Sequence, residues 1–157
     1  MIGFGYDSHR FSDKGKLYIG GIEIPADFGV IAHSDGDVLI HALIDALLGA
    51  AGLGDIGTLY PDTDAKYKDI SSSVLLKETM NIINNRYVIL NIDATIVLEK
   101  PKLISYKEQI RTNIAKLCSI HEDRVNIKAK TNEKMGFVGR SEGIQCYVAC
   151  QIDLINN

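Results

Sequence analysis

Asp7 and His9 lie two residues apart in GYDSHRF, directly after the apolar residues that open the chain. Successive side chains of a β-strand alternate between its two faces, so this spacing places both side chains on one face. A carboxylate and an imidazole are both metal ligands and both exchange protons. The pair alone is weak evidence for either chemistry, and its meaning depends on the other polar groups that the fold brings to it.

His41 supplies a third group. It lies four residues after Asp37 and four residues before Asp45, in a segment whose apolar residues recur with a helical period. Side chains four residues apart share a helix face, so either carboxylate could accept a hydrogen bond from one ring nitrogen while the other nitrogen binds a metal. A core histidine satisfied by these two carboxylates is the alternative.

Asp7, His9 and His41 together form a known type of ligand set. Two imidazoles and one carboxylate, from a strand and a helix packed against it, leave the fourth position of a tetrahedral zinc ion open, as in catalytic zinc sites. Ligation by histidine without thiolates favours zinc, with manganese or iron as alternatives, and argues against calcium. We therefore predict a metal centre at these three residues.

Two further polar segments are candidates for ligand binding. GDIGTLYPDTD, residues 54–64, combines glycines, which allow close approach of the backbone, with three aspartates that can accept hydrogen bonds from hydroxyl groups. KAKTNEKMGFVGRSEG, residues 128–143, mixes basic side chains with a threonine and glutamates, a combination suited to phosphate groups held with a divalent cation. Considered alone, the first could be a solvated turn and the second ordinary protein surface.

The composition restricts the class of protein. The chain has 157 residues, 46% of them apolar and 24% charged, as is usual for soluble globular proteins. A net charge of -3 argues against nucleic acid or an anionic membrane as the main partner. The three cysteines have no paired spacing, and no apolar run approaches the roughly 20 residues of a membrane span. We expect one catalytic domain over residues 1–157, in a reducing, cytoplasmic compartment.

The elements that position these groups follow from turn residues and apolar periodicity. LYIGGIEIP, residues 17–25, predicts a hairpin that turns at two glycines. Ser34 and Asp37 resemble a capping box before a helix that Gly52 ends. The same reasoning predicts helices over 71–84 and 103–117 and strands over 87–99, 125–131 and 144–155. We expect an α+β fold, with a mixed four-stranded sheet, helices packed on one face and a small N-terminal hairpin.

Three stretches of the sequence resemble one enzyme family. They are GYDSHRF, the run AHSDGDVLIHALIDALLGAAGLGDIGTLYPDTD over residues 32–64, and KAKTNEKMGFVGRSEGI over residues 128–144. In this order the chain is similar, over almost its whole length, to the 2-C-methyl-D-erythritol 2,4-cyclodiphosphate synthases of the non-mevalonate isoprenoid pathway. The resemblance implies conversion of 4-diphosphocytidyl-2-C-methyl-D-erythritol 2-phosphate to the 2,4-cyclodiphosphate with release of CMP, a phosphorus-oxygen lyase reaction.

The resemblance also implies an assembly and cofactors. Family members are homotrimers with active sites between subunits, each using one zinc ion and a second divalent cation, magnesium or manganese. Asp7, His9 and His41 match the zinc ligands, and Glu133 matches the ligand of the second cation. The positions credited with transition-state stabilisation are matched by His33 and Thr131.

The remaining matches concern substrate binding. Residues 55–57 and 60–64 match the segments that hold hydroxyl groups, residues 98–104 match a cytidine-binding segment, and residues 130–133 match the loop toward the diphosphate. The chain departs from the family at Lys130 and Asn132, where threonine is frequent, and at Glu99 and Lys100, where the family has a less charged pair. The matching residues are Ser8, Ser34, Asp55, Ile56, Gly57, Tyr60, Pro61, Asp62, Thr63, Asp64, Leu98, Lys102, Lys130, Asn132, Phe137 and Arg140.

Other functions would use the same groups differently. A zinc hydrolase would place water at the open zinc position, although the chain has no HExxH motif and no obvious glutamate base beside the ligands. A structural metal site or a nucleotide-binding module would need no reaction, and a closed four-ligand site would favour it. Release of CMP together with a cyclic product would distinguish the synthase from both.

Overall fold

A mixed five-stranded sheet forms the frame of the molecule in the computed structural model, which describes residues 1–155. The strands are, in chain order, β1 Ile2–Ser12, β2 Leu17–Ile19, β3 Ile22–Ile24, β4 Gly29–Val30, β5 Tyr87–Val97, β6 Val125–Lys130 and β7 Gly143–Leu154. Five of them form the sheet in the order β4-β1-β7-β5-β6, and β2 pairs with β3 in a separate hairpin. Only β5 and β6 are parallel, while the other neighbours are antiparallel.

The three longest helices cover one face of this sheet. In chain order the helices are α1 Val38–Ala51, α2 Ile56–Leu59, α3 Ser72–Ile83, α4 Lys107–Cys118 and α5 Gly136–Gly139. α1 packs on β1 and β7, α4 packs on β6, and α3 packs against both α1 and α4. None of the described helices is long and apolar enough to cross a membrane. The main core therefore lies between the sheet and the helices.

The α+β class, the hairpin and the order of the long elements are as predicted. The hairpin turns at Gly20 and Gly21, whose φ angles of 63° and 76° suit glycine. The sheet has one strand more than the predicted four, because β4 pairs along the edge of β1. A two-residue strand is too short to show alternation of apolar residues, so the sequence pattern does not predict it.

Asp37 begins α1, and this corrects the predicted capping box. Its buried carboxylate accepts the amide of Ile40 at 3.0 Å, which makes it the N-cap, whereas Ser34 lies in the preceding loop. The same carboxylate accepts the amides of Gly20 at 2.9 Å and Gly21 at 2.6 Å. One side chain thus fixes both the start of α1 and the turn of the hairpin. Gly52 ends the helix in the left-handed region, as predicted.

Strand β1 and helix α1 approach each other through residues without bulky side chains. A β-carbon placed on Gly3 would lie 1.8 Å from the carbonyl oxygen of Ala46, and one on Gly5 would lie 1.9 Å from that of Ala42. Two strand residues advance about 6.7 Å and four helix residues about 6 Å, so the contacts repeat in step. The next residue on this face of β1 is Asp7.

All three cysteines are buried thiols, as the uneven number and spacing predict. Burial raises the pKa of Cys118 to about 12 and that of Cys150 to about 11. These side chains therefore remain protonated at neutral pH and serve as small apolar groups in the core.

We predict that Gly5→Ala lowers the free energy of unfolding by roughly 3 kcal/mol, since the new methyl group would overlap a helix carbonyl and the backbones must separate. Gly49→Ala is the matched control, because a β-carbon there meets nothing within 4 Å. This control should raise the free energy of unfolding by about 0.5 to 1 kcal/mol. Urea unfolding at one fixed protein concentration measures both, and equal stability of the two variants would contradict the close packing of β1 on α1.

Candidate metal centre and binding cavities

Asp7, His9 and His41 meet at the end of the glycine contacts between β1 and α1. Oδ2 of Asp7 lies 2.9 Å from Nε2 of His9 and 3.0 Å from Nδ1 of His41. The two ring nitrogens lie 3.2 Å apart, and the rings meet edge to face. Within residues 1–155 this is the only group of three or more histidine, cysteine or acidic side chains close enough to hold a metal ion.

The three donor atoms fit the ligand set of a zinc ion. Bonds of 2.0–2.1 Å in a tetrahedron put neighbouring donors about 3.3 Å apart, close to the three separations found here. Two imidazoles and one carboxylate leave a fourth position for a small molecule or a substrate oxygen. The triangle they form therefore needs little adjustment to bind a cation.

The electrostatics of the triad favour an ionised carboxylate. Burial raises the pKa of Asp7, but hydrogen bonds and charge interactions with His41 and His9 outweigh burial and hold this pKa at about 2. Burial lowers the pKa of His41, but the hydrogen bond with Asp7 and the negative charges of Asp7, Asp37 and Asp35 together outweigh burial and raise this pKa above its ordinary value. Asp7 thus carries its negative charge at neutral pH, as a metal ligand must.

The other nitrogen of the His41 ring, Nε2, faces two hydroxyl groups. It lies 2.9 Å from Oγ of Ser72 and 3.1 Å from Oγ of Ser34. The prediction that Asp37 or Asp45 supports the ring is wrong. Asp37 folds back onto the amides at the start of the helix, and Asp45 accepts the amide of Ile56 at 2.7 Å. Sharing a helix face did not decide the partners, because unpaired amides nearby compete for both carboxylates.

A cavity of about 300 Å³ opens beside the triad. Both imidazoles line it, together with several residues predicted to bind substrate. Tyr60 is fixed in its wall, because its hydroxyl lies 3.0 Å from Oγ1 of Thr79. The cavity is lined by His9, Ala32, His33, Ser34, His41, Ile56, Gly57, Tyr60, Asp62, Tyr67 and Leu75. The structure thus brings the loop before α1 and the segment around α2 to the candidate metal position.

A second cavity of about 230 Å³ lies at the other end of the sheet and shares no residue with the first. Apolar side chains and three lysines line this cavity. The lining residues are Leu98, Pro101, Lys102, Leu103, Ile104, Lys107, Ala129, Lys130 and Thr131. Strand β1 carries Asp7 and His9, and β6 ends next to Thr131. Because β7 and β5 lie between these two strands in the sheet, β1 and β6 are about 14 Å apart. Thr131 is therefore not beside the triad of its own chain.

Glu133 lies in a tight loop after β6. Its φ angle of 50° and that of Lys134, 61°, are in the left-handed region, and Glu99 accepts the amide of Asn132 at 2.9 Å beneath the loop. Thr131 donates its hydroxyl to Oε1 of Glu133 at 2.8 Å. Glu133 is exposed, so its carboxylate can reach a cation from solvent.

The other predicted residues lie around these centres. Ser8 is on the sheet face opposite α1, and a small cavity at this end of β1 is lined by Ser8, His9, Arg10, Phe137 and Glu142. Arg140 pairs with Glu142 at 2.8 Å. Asp55 caps α2, and Asp64 caps the short turn that follows it, so both carboxylates are engaged by backbone amides. Pro61 and Thr63 belong to the same segment without lining its cavity.

Comparison with known proteins gives the chain a family. The model of the YgbB family matches residues 1–153. The chain belongs to the YgbB family. A curated 2-C-methyl-D-erythritol 2,4-cyclodiphosphate synthase from Clostridium novyi is 54% identical over 153 residues, which cover 97% of this chain and 98% of that protein.

Solved structures agree with the family and the fold. A 2C-methyl-D-erythritol-2,4-cyclodiphosphate synthase in its CDP-bound form has a TM-score of 0.90 at 37% identity, covering 98% of this chain and 100% of that one. The bifunctional IspDF of Campylobacter jejuni has a TM-score of 0.95 at 43% identity, covering 99% of this chain. The present chain spans 42% of that bifunctional protein.

Sequence reasoning missed Asp35, Ser72 and Glu99 as partners of the site residues, and it gave Asp45 the wrong partner. The Ser72 hydroxyl contacts both His41 and Asp35. Asp45 accepts the first amide of α2, and Glu99 accepts an amide in the loop that follows Thr131. Each acts through an amide or a hydroxyl far away in the sequence. Residue spacing does not predict these hydrogen-bond partners, because they depend on how two loops pack against each other.

We predict that His41→Ala removes the bound metal while the chain remains folded, because one of three ligands is lost at the rim of a cavity rather than in the core. The unsubstituted protein should retain about one zinc ion per chain after dialysis, as expected for three protein ligands. Metal analysis by plasma emission spectroscopy and far-UV circular dichroism measure the two quantities.

His121→Ala is the control for this substitution. His121 is exposed and contacts Asp123, away from the triad, so its removal should leave the metal content unchanged. Full zinc content in folded His41→Ala would exclude the triad as the metal centre.

Proposed function

We propose that the chain converts 4-diphosphocytidyl-2-C-methyl-D-erythritol 2-phosphate to 2-C-methyl-D-erythritol 2,4-cyclodiphosphate and CMP, as a phosphorus-oxygen lyase of the non-mevalonate pathway. The observation that carries this proposal is the metal-ligand triad at the wall of the first cavity, in a chain matched along nearly its whole length by proteins named for that synthase. The CDP-bound relative supports a cytidine nucleotide as part of the substrate. A cytoplasmic location remains a prediction.

This reaction needs charge neutralisation more than proton transfer. An oxygen of the 2-phosphate attacks the β-phosphorus, the bond from that phosphorus to the bridging oxygen breaks, and CMP leaves with this oxygen. The nucleophile is already an anion, so no serine, cysteine or strong general base is required. The chain has to align the two phosphates and supply hydrogen-bond donors where charge develops.

The residues of the first cavity suit this work. Asp7, His9 and His41 would hold the zinc ion, which when bound polarises a phosphate oxygen and stabilises negative charge on it. His33 and Ser34 line the same cavity and can donate hydrogen bonds to phosphate oxygens. The segment around α2 can receive the hydroxyl groups of the methylerythritol unit.

The second cavity suits the nucleotide. Leu98 and Ile104 offer apolar surface to a pyrimidine ring, while Lys102 and Lys130 place positive charge near its phosphates. Glu133 is a single carboxylate, and magnesium commonly binds to one or two carboxylates plus substrate phosphates and water. The second cation, magnesium or manganese, would therefore bind at Glu133 together with the diphosphate.

The assembly we expect is a homotrimer with active sites between subunits. Within one chain the two cavities are separated across the strand order, one near β1 and the other near β6. A single substrate could contact both kinds of cavity if they came from two neighbouring chains. The sheet face without helices also exposes aromatic side chains. Phe4 is 66% exposed, and its ring and that of Tyr6 pack on Tyr147. An apolar patch of this kind is typical of a protein interface.

The direct test incubates the purified protein with the cytidine diphosphate substrate, zinc and magnesium. We predict equal amounts of CMP and cyclodiphosphate, measured by chromatography and ³¹P nuclear magnetic resonance. His33→Ala should lower kcat about 100-fold with little change in KM, because a donor to the developing charge is lost while ground-state contacts remain.

The products distinguish the alternatives. CMP accompanied by linear methylerythritol phosphates would indicate a hydrolase and contradict the synthase. Nucleotide binding without CMP release would indicate a binding module. His121→Ala serves again as the control, with unchanged kcat expected.

For the assembly, we predict that Phe4→Asp dissociates the trimer, since it buries a charge in the interface that the aromatic patch would form. Ile82→Glu is the matched control, because Ile82 is also exposed and apolar but lies on α3. Analytical ultracentrifugation should show monomers for the first variant and trimers for the second. A fully active monomer of the unsubstituted protein would contradict active sites between subunits.

A further inference from the structure

We propose that Asp35 and Ser72 form a positioning pair that fixes the His41 ring with Nδ1 toward the metal position. The inference rests on the metal centre of the proposed function and adds two residues that no motif predicted. Ser72 is fully buried at the first turn of α3, and its hydroxyl bonds both Nε2 of His41 and Oδ1 of Asp35. The three groups form a chain that leads from the ring to a carboxylate.

The donors and acceptors in this chain allow one consistent order. An ionised carboxylate only accepts hydrogen bonds, so the Ser72 hydroxyl must donate its proton to Asp35. Its oxygen can then accept from the ring, which requires a proton on Nε2 of His41. A neutral imidazole with its proton on Nε2 has its lone pair on Nδ1. That nitrogen is the one that lies 3.0 Å from Asp7 and 3.2 Å from His9.

Asp35 also has a structural role that can be separated from this one. Its Oδ2 accepts the backbone amide of Ser72 at 2.9 Å. Ser71, the residue at the N-cap position of α3, makes no side-chain capping bond. Asp35 therefore supplies the cap to α3 through the Ser72 amide, and supports His41 through the Ser72 hydroxyl. Ser72→Ala deletes only the second connection.

The same pair connects the metal centre to the loop of His33. The amide of Asp35 donates to the carbonyl of Ile70 at 3.1 Å, and the amide of Asp69 donates to the carbonyl of His33 at 2.9 Å. Residues 33–35 and 69–72 thus lie side by side. One short network positions the His41 ring and the backbone that carries His33.

The test compares cobalt binding by Ser72→Ala, Asp35→Ala and the unsubstituted protein. Loss of a hydrogen bond to a metal-binding histidine typically weakens metal binding 10- to 100-fold, and we expect about this increase in the cobalt dissociation constant of Ser72→Ala. The visible absorption bands of bound cobalt should change in position or intensity, since the ring can now rotate. A merely structural role of Ser72 would alter neither quantity.

The variants separate positioning from folding. Ser72→Ala should lower the thermal unfolding midpoint of the metal-free protein less than Asp35→Ala does, because the hydrogen bond from the backbone amide of residue 72 to Asp35 remains. Asp35→Ala should lower this midpoint and also weaken cobalt binding. Ser71→Ala is the matched control, as it deletes a neighbouring exposed hydroxyl and should change neither the midpoint nor the cobalt spectrum. Unchanged cobalt affinity and spectrum in Ser72→Ala would overturn the inference.

A second measurement needs no variant. Nitrogen-15 nuclear magnetic resonance of the zinc-loaded protein should show His41 with zinc on Nδ1 and a proton on Nε2. Zinc on Nε2 would overturn the inference even if the synthase reaction proceeds normally. Conversely, the expected cobalt and nitrogen-15 results without turnover would contradict the proposed function and leave the positioning pair standing. A protein that binds neither cobalt nor zinc would overturn both.

Discussion

The contact between β1 and α1 is the constraint on which the candidate metal centre depends. Gly3 and Gly5 let the strand lie directly against helix carbonyl oxygens, and the repeats of strand and helix nearly match over this length. Asp7 is the next residue on that strand face and meets His41 at the helix. With a side chain at either glycine, the two backbones would separate and the ligands with them. The position of the metal centre is therefore a consequence of helix packing.

The strand order then divides the remaining chemistry between two ends of the molecule. The triad and the loop of His33 belong to β1 and α1, whereas Thr131 and Glu133 follow β6 at the opposite edge of the sheet. A cyclisation with release of CMP needs cations and donors at both phosphates of one substrate. In a single chain the residues proposed for these roles lie at two separate cavities, so the proposed trimer would have a chemical reason as well as an apolar surface.

Sequence reasoning was strongest where a group is local or a pattern is long. The D-x-H spacing and a helical histidine were enough to predict the triad, and apolar alternation predicted the long strands. It failed where the outcome depended on competition between partners: Asp37 caps the helix and anchors the hairpin instead of supporting His41. Ser72 and the two-residue strand β4 gave no periodic signal. The sequence shows glycine at positions 3 and 5, but only the structure shows that α1 packs too closely there for a side chain.

We propose that these three side chains hold a zinc ion whose open position faces the reacting phosphates. X-ray absorption at the zinc edge of the loaded protein, recorded with and without CDP and inorganic phosphate, tests it most directly. We expect a four-coordinate ion with two imidazole nitrogens and one carboxylate oxygen, whose fourth ligand changes from water to a phosphate oxygen, with phosphorus scattering at short range. A six-coordinate ion, or a spectrum without imidazole scattering, would contradict the account.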